Sequence, residues 1–220
     1  MTDSEDFEKL LSAAVNAYRA LPKGIPVSLA IQAMTSFKII ALDLQSVDDM
    51  DLLRRISDAA THCMRASQLN PVKSARVNEV GNLLEPLLKI SLETQMLNVS
   101  WPTTAGGASG RSGYPDLLVT ESPDRLTYIE VKAVGPGQES STFRSFYLSP
   151  SDTPKVVADA RHLLVAFGHK HVGTAEDGAG LYQMTHFKVV DLAHVVGQIK
   201  FEYQTSNRGL YNAGAVKSSG

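Results

Sequence analysis

The first seventy residues have the apolar spacing of amphipathic helices. Apolar side chains recur every three or four positions within FEKLLSAAVNAYRAL, VSLAIQAMTSFKIIALDL and DDMDLLRRISDAATHCM, and this spacing lines one face of a helix. Thr2 and Ser46 each precede an acidic residue three positions later, which is typical of a capped helix start. The pattern predicts a helical annex, residues 1–72, that contains three helices and packs on a core domain, residues 73–220.

The core domain begins with a fourth helical pattern and then changes to strands. The helix is predicted over residues 73–95, where Pro86 indicates a kink or a restart. The runs MLNVSW, DLLVT and RLTYIEVKAV have the composition of strands. A short helix, TPKVVADAR, and the strand-like runs HLLVAF, LYQMTHFKVVDL and QIKFEY follow. We therefore predict an α/β fold of helix, three-strand meander, helix and strand, with a central mixed sheet flanked by helices.

Composition excludes several classes of protein but does not identify a function. Of 220 residues, 43% are hydrophobic and 20% are charged, as in globular domains. The single cysteine, Cys63, excludes an internal disulfide and a cysteine-based zinc site. No apolar run reaches the roughly 20 residues that span a bilayer, and the acidic N-terminus is unlike a signal peptide, so we expect a cytoplasmic protein and no membrane partner. A formal charge of -2 argues against non-specific coating of nucleic acid.

The segment GYPDLLVTESPDRLTYIEVKAV contains candidate catalytic residues. Glu130 and Lys132 are two residues apart in a predicted strand, so they share one face. The turn ESPDR predicts a hairpin that brings Asp116 beside them. Two carboxylates a few ångströms apart repel unless a divalent cation lies between them, and an ammonium group also helps. Oxygen ligands of this kind suit Mg²⁺, and the cluster suits phosphodiester hydrolysis.

The order of these residues resembles the signature of the PD-(D/E)XK nuclease superfamily. A Pro-Asp pair ending at Asp116 is followed, after thirteen residues, by Glu130-Val131-Lys132. The resemblance covers about residues 74–170, whose predicted element order is that of the superfamily's catalytic core. It implies that Asp116 and Glu130 are Mg²⁺ ligands, that the Val131 backbone carbonyl is a third ligand, and that Lys132 activates the attacking water.

Many members of the superfamily have one more glutamate on the helix that precedes the meander. Two residues compete for this role here, Glu85 in GNLLE and Glu79 in VNEVG. We prefer Glu85 as the catalytic residue, because a glycine four positions before the glutamate is a recurring form in the superfamily. Pro86 directly follows Glu85, so Glu79 stays open as the alternative.

Within the superfamily, the chain is most similar to type II restriction endonucleases. The chain has the size of one subunit, the helical annex is common in that group, and ARVNEVGNLLEPLL, HLLVAF and KFEYQTSN are similar in character. The similarity implies Mg²⁺-dependent cleavage of double-stranded DNA at a short, palindromic site, leaving 5′-phosphate and 3′-hydroxyl ends. It further implies a homodimer, because a palindrome has two-fold symmetry, and a cognate DNA methyltransferase. The annex would serve DNA binding or dimerisation.

Candidate DNA contacts lie in loops near the predicted site. They are Arg111 in a glycine-rich loop, Gln138, Ser140, Ser141, Thr142 and Arg144 after the catalytic strand, and Asn207 and Arg208 near the C-terminus. Arginine reads guanine and glutamine reads adenine in the major groove through paired hydrogen bonds. Each residue is equally compatible with a solvated polar loop.

Two other functions are compatible with the sequence. One is a related nuclease for repair, junction resolution or transposition, which gene neighbourhood would distinguish from a restriction enzyme. The other is a non-catalytic, nuclease-like DNA-binding module. The intact set of Asp116, Glu130 and Lys132 argues against the second function, because a binding module has no need of all three.

Overall fold

A computed structural model describes residues 4–108, 113–141, 146, 148–212 and 214–218. The chain divides into two compact units. One comprises Met1–Ile25 with Val196–Gly220, and the other comprises Pro26–Val195. The larger unit contains the sheet and two of the three helices that the sequence assigns to the annex. In the part of the chain that the structure describes, no helix is both long and apolar enough to cross a membrane.

Five helices and eight strands make up the described fold. The helices are α1 (Ser4–Ala20), α2 (Val27–Thr35), α3 (Val47–Leu69), α4 (Val80–Thr94) and α5 (Asn207–Leu210), with single 3-10 turns at Val77–Glu79 and Leu192–His194. The strands are β1 (Ile25–Pro26), β2 (Val72–Ser74), β3 (Asn98–Ser100), β4 (Leu117–Ser122), β5 (Arg125–Val134), β6 (Arg161–Thr174), β7 (Gly180–Asp191) and β8 (Val196–Gly197). The predicted α/β class is confirmed.

The larger unit is built on a mixed six-stranded sheet in the order β2-β7-β6-β5-β4-β3. The strands β3, β4 and β5 form the predicted antiparallel meander. β5 covers the whole of the run RLTYIEVKAV. β6 pairs parallel to β5, and β7 pairs antiparallel to β6. The strand with the candidate acid and lysine therefore lies at the centre of the sheet.

The two faces of the sheet are covered by different elements. On β5, Ile129 and Val131 join a buried cluster with Leu52 and Ile56 of α3 and with Leu84 of α4. The alternate residues of β5 point to the opposite face, where Tyr128 packs with Ile31 of α2 and with Val156. Since side chains alternate along a strand, Glu130 and Lys132 lie on the same face as Tyr128.

The helix predicted after the meander is wrong. No helix forms between Val134 and Arg161 among the residues described there, although TPKVVADAR has a helical pattern. The backbone N–H of Ala160 donates to the Lys38 carbonyl (3.2 Å), and that of Val157 donates to the Tyr128 hydroxyl (3.1 Å). Bonds to other segments therefore replace the bonds of a helix.

The predicted second helix is correct only in its first half. α2 ends at Thr35, and Ser36 takes a left-handed conformation with φ of 68°, which ends many helices. Beyond it, Ile39 forms a parallel bridge with Ala160, and the Ile40 N–H donates to the Ala160 carbonyl at 2.8 Å. The apolar residues after Ser36 therefore pack as extended chain.

The third and fourth predicted helices and the last predicted strand have different outcomes. The third predicted helix is confirmed as α3, and its first turn is capped by the Ser46 side chain, which accepts a hydrogen bond from the Asp49 N–H. Thr2 lies outside the described residues. α4 starts at Val80 and continues through Pro86 as one helix, so a restart, one of the two alternatives predicted at Pro86, is wrong, and the kink stays a prediction. The predicted strand QIKFEY is also wrong, because residues 198–206 form no strand.

Candidate active site

Asp116 lies opposite Glu130 across the β4–β5 hairpin. Leu117 pairs with Ile129 in this antiparallel ladder, and the Asp116 N–H donates to the Ile129 carbonyl at 3.1 Å. The Asp116 Oδ2 atom accepts a hydrogen bond of 2.8 Å from the Val131 N–H. The backbone of β5 thus fixes the Asp116 carboxylate beside Glu130, as the hairpin predicted.

Lys132 is bonded to Glu130 on the same face of β5. Its Nζ atom lies 2.5 Å from Glu130 Oε1. The Glu130 side chain is only 7% exposed, whereas that of Lys132 is 30% exposed. The lysine therefore lies between a buried carboxylate and the solvent, where a reacting phosphate could approach it.

The two carboxylates hold a proton more tightly than ordinary acids do. Burial, followed by the charge of Asp116, raises the pKa of Glu130 to about 7, although Lys132 opposes the shift. Burial also raises the pKa of Asp116, and the Val131 N–H and the charges of Lys132 and Lys155 offset part of this effect. Without a cation, the pair therefore loses its last proton only near neutral pH.

The available oxygen atoms fit a hard divalent cation. Glu130 Oε2 is buried and has no hydrogen-bond partner within the described residues. The same part of the chain contains no group of three or more His, Cys, Asp or Glu residues that could hold a metal. Mg²⁺ nevertheless needs few protein ligands, because it keeps several of its waters. The sequence predicts Asp116, Glu130 and the carbonyl of Val131 as the oxygen donors for such an ion.

The two candidate helix glutamates lie in different surroundings. Glu85 is buried in α4, and its charge acts on Lys155. One turn earlier, α4 runs close to β5, since a Cβ added at Gly81 would lie 3.7 Å from the Ala133 nitrogen. Glu79, in contrast, is 48% exposed and pairs with Arg76 at 3.6 Å. The surroundings favour Glu85 over Glu79.

Lys155 is a site residue that the sequence did not reveal. Its Nζ atom donates a 2.6 Å hydrogen bond to the Pro115 carbonyl, and the residue is 7% exposed. Burial lowers the pKa of Lys155, while Asp116, Glu130 and Glu85 raise it. The predicted helix TPKVVADAR would have placed this lysine on a solvated face, so the helical pattern concealed its location.

A neutral aromatic cluster lies next to the carboxylates. The Tyr114 hydroxyl is 2.5 Å from His162 Nδ1, and both side chains are largely buried. Burial lowers the pKa of His162 to about 4, so its ring is uncharged at neutral pH. Burial, and then the charges of Glu130 and Asp116, raise the pKa of Tyr114 well above its ordinary value. The cluster gives the carboxylates an uncharged neighbour that exchanges no proton near pH 7.

The predicted DNA-contact residues are distributed over several places. Gln138, Ser140 and Ser141 follow β5 in a loop, in which the Ser141 N–H donates to the Gln138 carbonyl at 3.0 Å. Ser140 lines an open cleft of about 700 Å³. Arg111, Thr142 and Arg144 lie outside the described residues. Asn207 and Arg208 belong to α5 of the smaller unit and are exposed.

Comparison with known proteins places the chain in a family. A sequence model of the Type II restriction enzyme MjaV family matches residues 21–214. The type II restriction enzyme MjaV of Methanocaldococcus jannaschii is 31% identical over 226 aligned residues, which cover 96% of this chain and 95% of that protein. No solved structure matches the chain significantly. The resemblance to type II restriction endonucleases is therefore confirmed, and the chain belongs to the MjaV family of type II restriction enzymes.

Proposed function

We propose that this chain hydrolyses phosphodiester bonds of duplex DNA with Mg²⁺, at a site formed by Asp116, Glu130 and Lys132. As a type II restriction enzyme, it is a site-specific deoxyribonuclease that acts on double-stranded DNA and uses a divalent metal ion. The observation that carries the proposal is the hairpin, which places Asp116 opposite Glu130 with Lys132 bonded to Glu130.

In this proposal, three groups hold the cation: the carboxylates of Asp116 and Glu130 and the backbone carbonyl of Val131. Bound Mg²⁺ would neutralise the negative charge that develops on the phosphate oxygens and would lower the pKa of a water molecule bound to it. The buried Oε2 atom of Glu130, which has no hydrogen-bond partner in the described chain, supports this assignment. The hydrogen bond from the Val131 N–H keeps Asp116 turned toward the same place.

Lys132 acts on the attacking water. Its ammonium lies next to Glu130 and is partly exposed, so it can orient the water and stabilise the negative charge on the phosphate oxygens. Attack in line with the leaving 3′-oxygen gives a 5′-phosphate end and a 3′-hydroxyl end. Glu130, held beside the Lys132 ammonium on one strand, is positioned to receive the proton that the water loses, and the leaving 3′-oxygen takes up a proton from the solvent.

Lys155 and Glu85 support this centre. The Lys155 ammonium holds the Pro115 carbonyl, which directly precedes Asp116, and offsets the charge of Asp116 and Glu130. Glu85 is the helix glutamate in this assignment, and its charge acts on Lys155. The pair would set both the position and the protonation of Asp116.

We expect Lys155→Met to lower the cleavage rate about 10- to 100-fold at pH 7. Methionine preserves the apolar stem but removes a charge that lowers the pKa of Asp116. The acidic limb of the pH–rate profile should therefore move to higher pH, while Lys155→Arg, which retains the charge, should restore the original limb. A merely structural role would lower the rate of Lys155→Met without moving the limb, and that result would contradict the assignment.

The proposal extends to the assembly. A palindromic site is cut most simply by a homodimer with two active sites related by a two-fold axis. A cognate DNA methyltransferase would protect the host at the same sequence. The residues that the sequence assigns to the annex, 1–72, would contribute to DNA binding or dimerisation.

The decisive experiment is incubation of the purified protein with long unmethylated duplex DNA and Mg²⁺. We expect discrete fragments that EDTA abolishes, and sequencing of the fragment ends would give the recognition site, the stagger and the end chemistry. A continuous smear would contradict site-specific cleavage by the isolated chain. Cleavage that persists in EDTA would contradict the metal assignment.

A further inference from the structure

The catalytic face of the sheet continues from β5 across β6 to β7. In the strand registers, Lys132 pairs with Ala166 and Ala166 pairs with Lys188. Paired residues on neighbouring strands point to the same face. The Lys188 side chain therefore rises from the same face as Lys132, two strands away, which is a separation of about 10 Å between backbones.

A second row runs parallel to the first. Val134 pairs with Gly168, and Gly168 pairs with His186. The His186 ring lies directly over Gly168, because a Cβ added at this glycine would be 2.0 Å from the His186 Cε1 atom. The His186 ring covers Gly168, but only the small side chain of Ala166 lies between Lys132 and Lys188 on this face, so a low strip of surface joins the two lysines. This low strip could accept an extended chain such as a DNA backbone.

A carboxylate occupies the far end of this strip. Glu139, in the loop after β5, bonds through Oε1 to His186 Nε2 at 2.5 Å and through Oε2 to Lys188. All three side chains are about half exposed, and they border the open cleft of about 700 Å³. The His186 imidazole and the Lys188 ammonium, which bind the Glu139 carboxylate here, could bind the oxygens of a phosphate in the same way.

We propose that His186 and Lys188 bind a phosphate of the cleaved DNA strand that flanks the scissile phosphate, and that Glu139 takes its place in the DNA-free protein. The inference rests on the proposed function, because it requires the scissile phosphate at Lys132. The same DNA strand can span both positions, since they are about 10 Å apart on one face. Glu139 must leave when DNA binds, because its charge repels the phosphate.

The first test is DNA binding without cleavage. We would measure the affinity for duplex DNA in EDTA over a range of salt concentrations, for the wild type, Lys188→Ala and Glu139→Gln. Lys188→Ala should weaken binding and reduce the salt slope by about one, as expected for one lost phosphate contact. Glu139→Gln should bind about three- to tenfold tighter at low salt, with a gain that disappears at high salt.

A matched control and a double variant sharpen the test. Lys73→Ala removes a lysine from a comparable exposed ion pair, Lys73 with Asp177 at 2.7 Å, and should leave the slope unchanged. The gain from Glu139→Gln should become smaller when Lys188 is also replaced by alanine, because the carboxylate then has no ammonium left for which to compete with the phosphate.

The possible outcomes separate this inference from the proposed function. If the wild type binds DNA and Lys188→Ala has the slope of Lys73→Ala, the phosphate subsite is wrong while the nuclease proposal stands. If Glu139→Gln binds no tighter than the wild type at low salt, Glu139 does not occupy the place of a phosphate. A wild type that binds duplex DNA neither in EDTA nor with Ca²⁺ in place of Mg²⁺ would overturn both proposals.

Discussion

Replacement of Lys132 by alanine or of Asp116 by asparagine is expected to lower the rate of DNA cleavage at least about 1000-fold. Lys132 is the ammonium nearest to the buried Glu130 carboxylate, at 2.5 Å. Asparagine has nearly the shape of aspartate but removes one of the two charges that would hold the cation. Cleavage of a DNA fragment that contains the recognition site, measured under single-turnover conditions, would give both rates.

The two variants should differ in metal binding, which separates their roles. Calorimetric titration with Mg²⁺ in the absence of DNA should show weakened binding by Asp116→Asn, since it lacks a ligand charge. Lys132→Ala should bind Mg²⁺ at least as well as the wild type, because it loses a neighbouring positive charge. Lys73→Ala, in an ion pair on β2, should retain full activity and metal binding. A Lys132→Ala variant that cleaves within tenfold of the wild-type rate would contradict the role assigned to this lysine.

The part of the site that the sequence predicted depends on short-range geometry alone. The period of two along β5 fixes Glu130 and Lys132 on one face, and a two-strand hairpin brings Asp116 opposite Glu130. These relations involve only residues 113–134, so the spacing was sufficient. The family match over residues 21–214 agrees with the resemblance that was drawn from this short segment.

The rest of the site depends on long-range pairing, which spacing does not contain. Lys155 reaches the Pro115 carbonyl in a segment that forms no helix, because Val157 bonds to Tyr128 and residues 159 and 160 bond to the segment around Lys38. Lys188 and His186 reach the catalytic face through the registers of two further strand pairs. A local helical pattern is a weak preference, and tertiary contacts override it. The error at TPKVVADAR and the omission of Lys155 therefore have one cause.

Glu130→Gln is expected to raise the free energy of unfolding of the metal-free protein by up to about 3 kcal/mol at pH 8, with little effect at pH 4. Burial and Asp116 raise the pKa of Glu130 from 4.5 to about 7 in the fold, whereas the unfolded chain has the ordinary value. Between these two pKa values, the unfolded state loses its proton while the folded state keeps it. The wild type therefore loses stability as the pH rises from about 4.5 to 7, and glutamine removes this loss.

Chemical denaturation in EDTA at pH 4, 6 and 8 would measure the effect, with Glu93→Gln, an exposed position on α4, as the control. The difference between Glu130→Gln and the wild type should grow with pH and level off above pH 7, while Glu93→Gln should show no such trend. Mg²⁺ should stabilise the wild type at pH 8 and have less effect on Glu130→Gln, because the cation relieves the same repulsion. A Glu130→Gln variant that is less stable than the wild type at pH 8 in EDTA would show that the buried carboxylate stabilises the fold. The strain between Asp116 and Glu130 would then not be the feature that prepares the site for a metal ion.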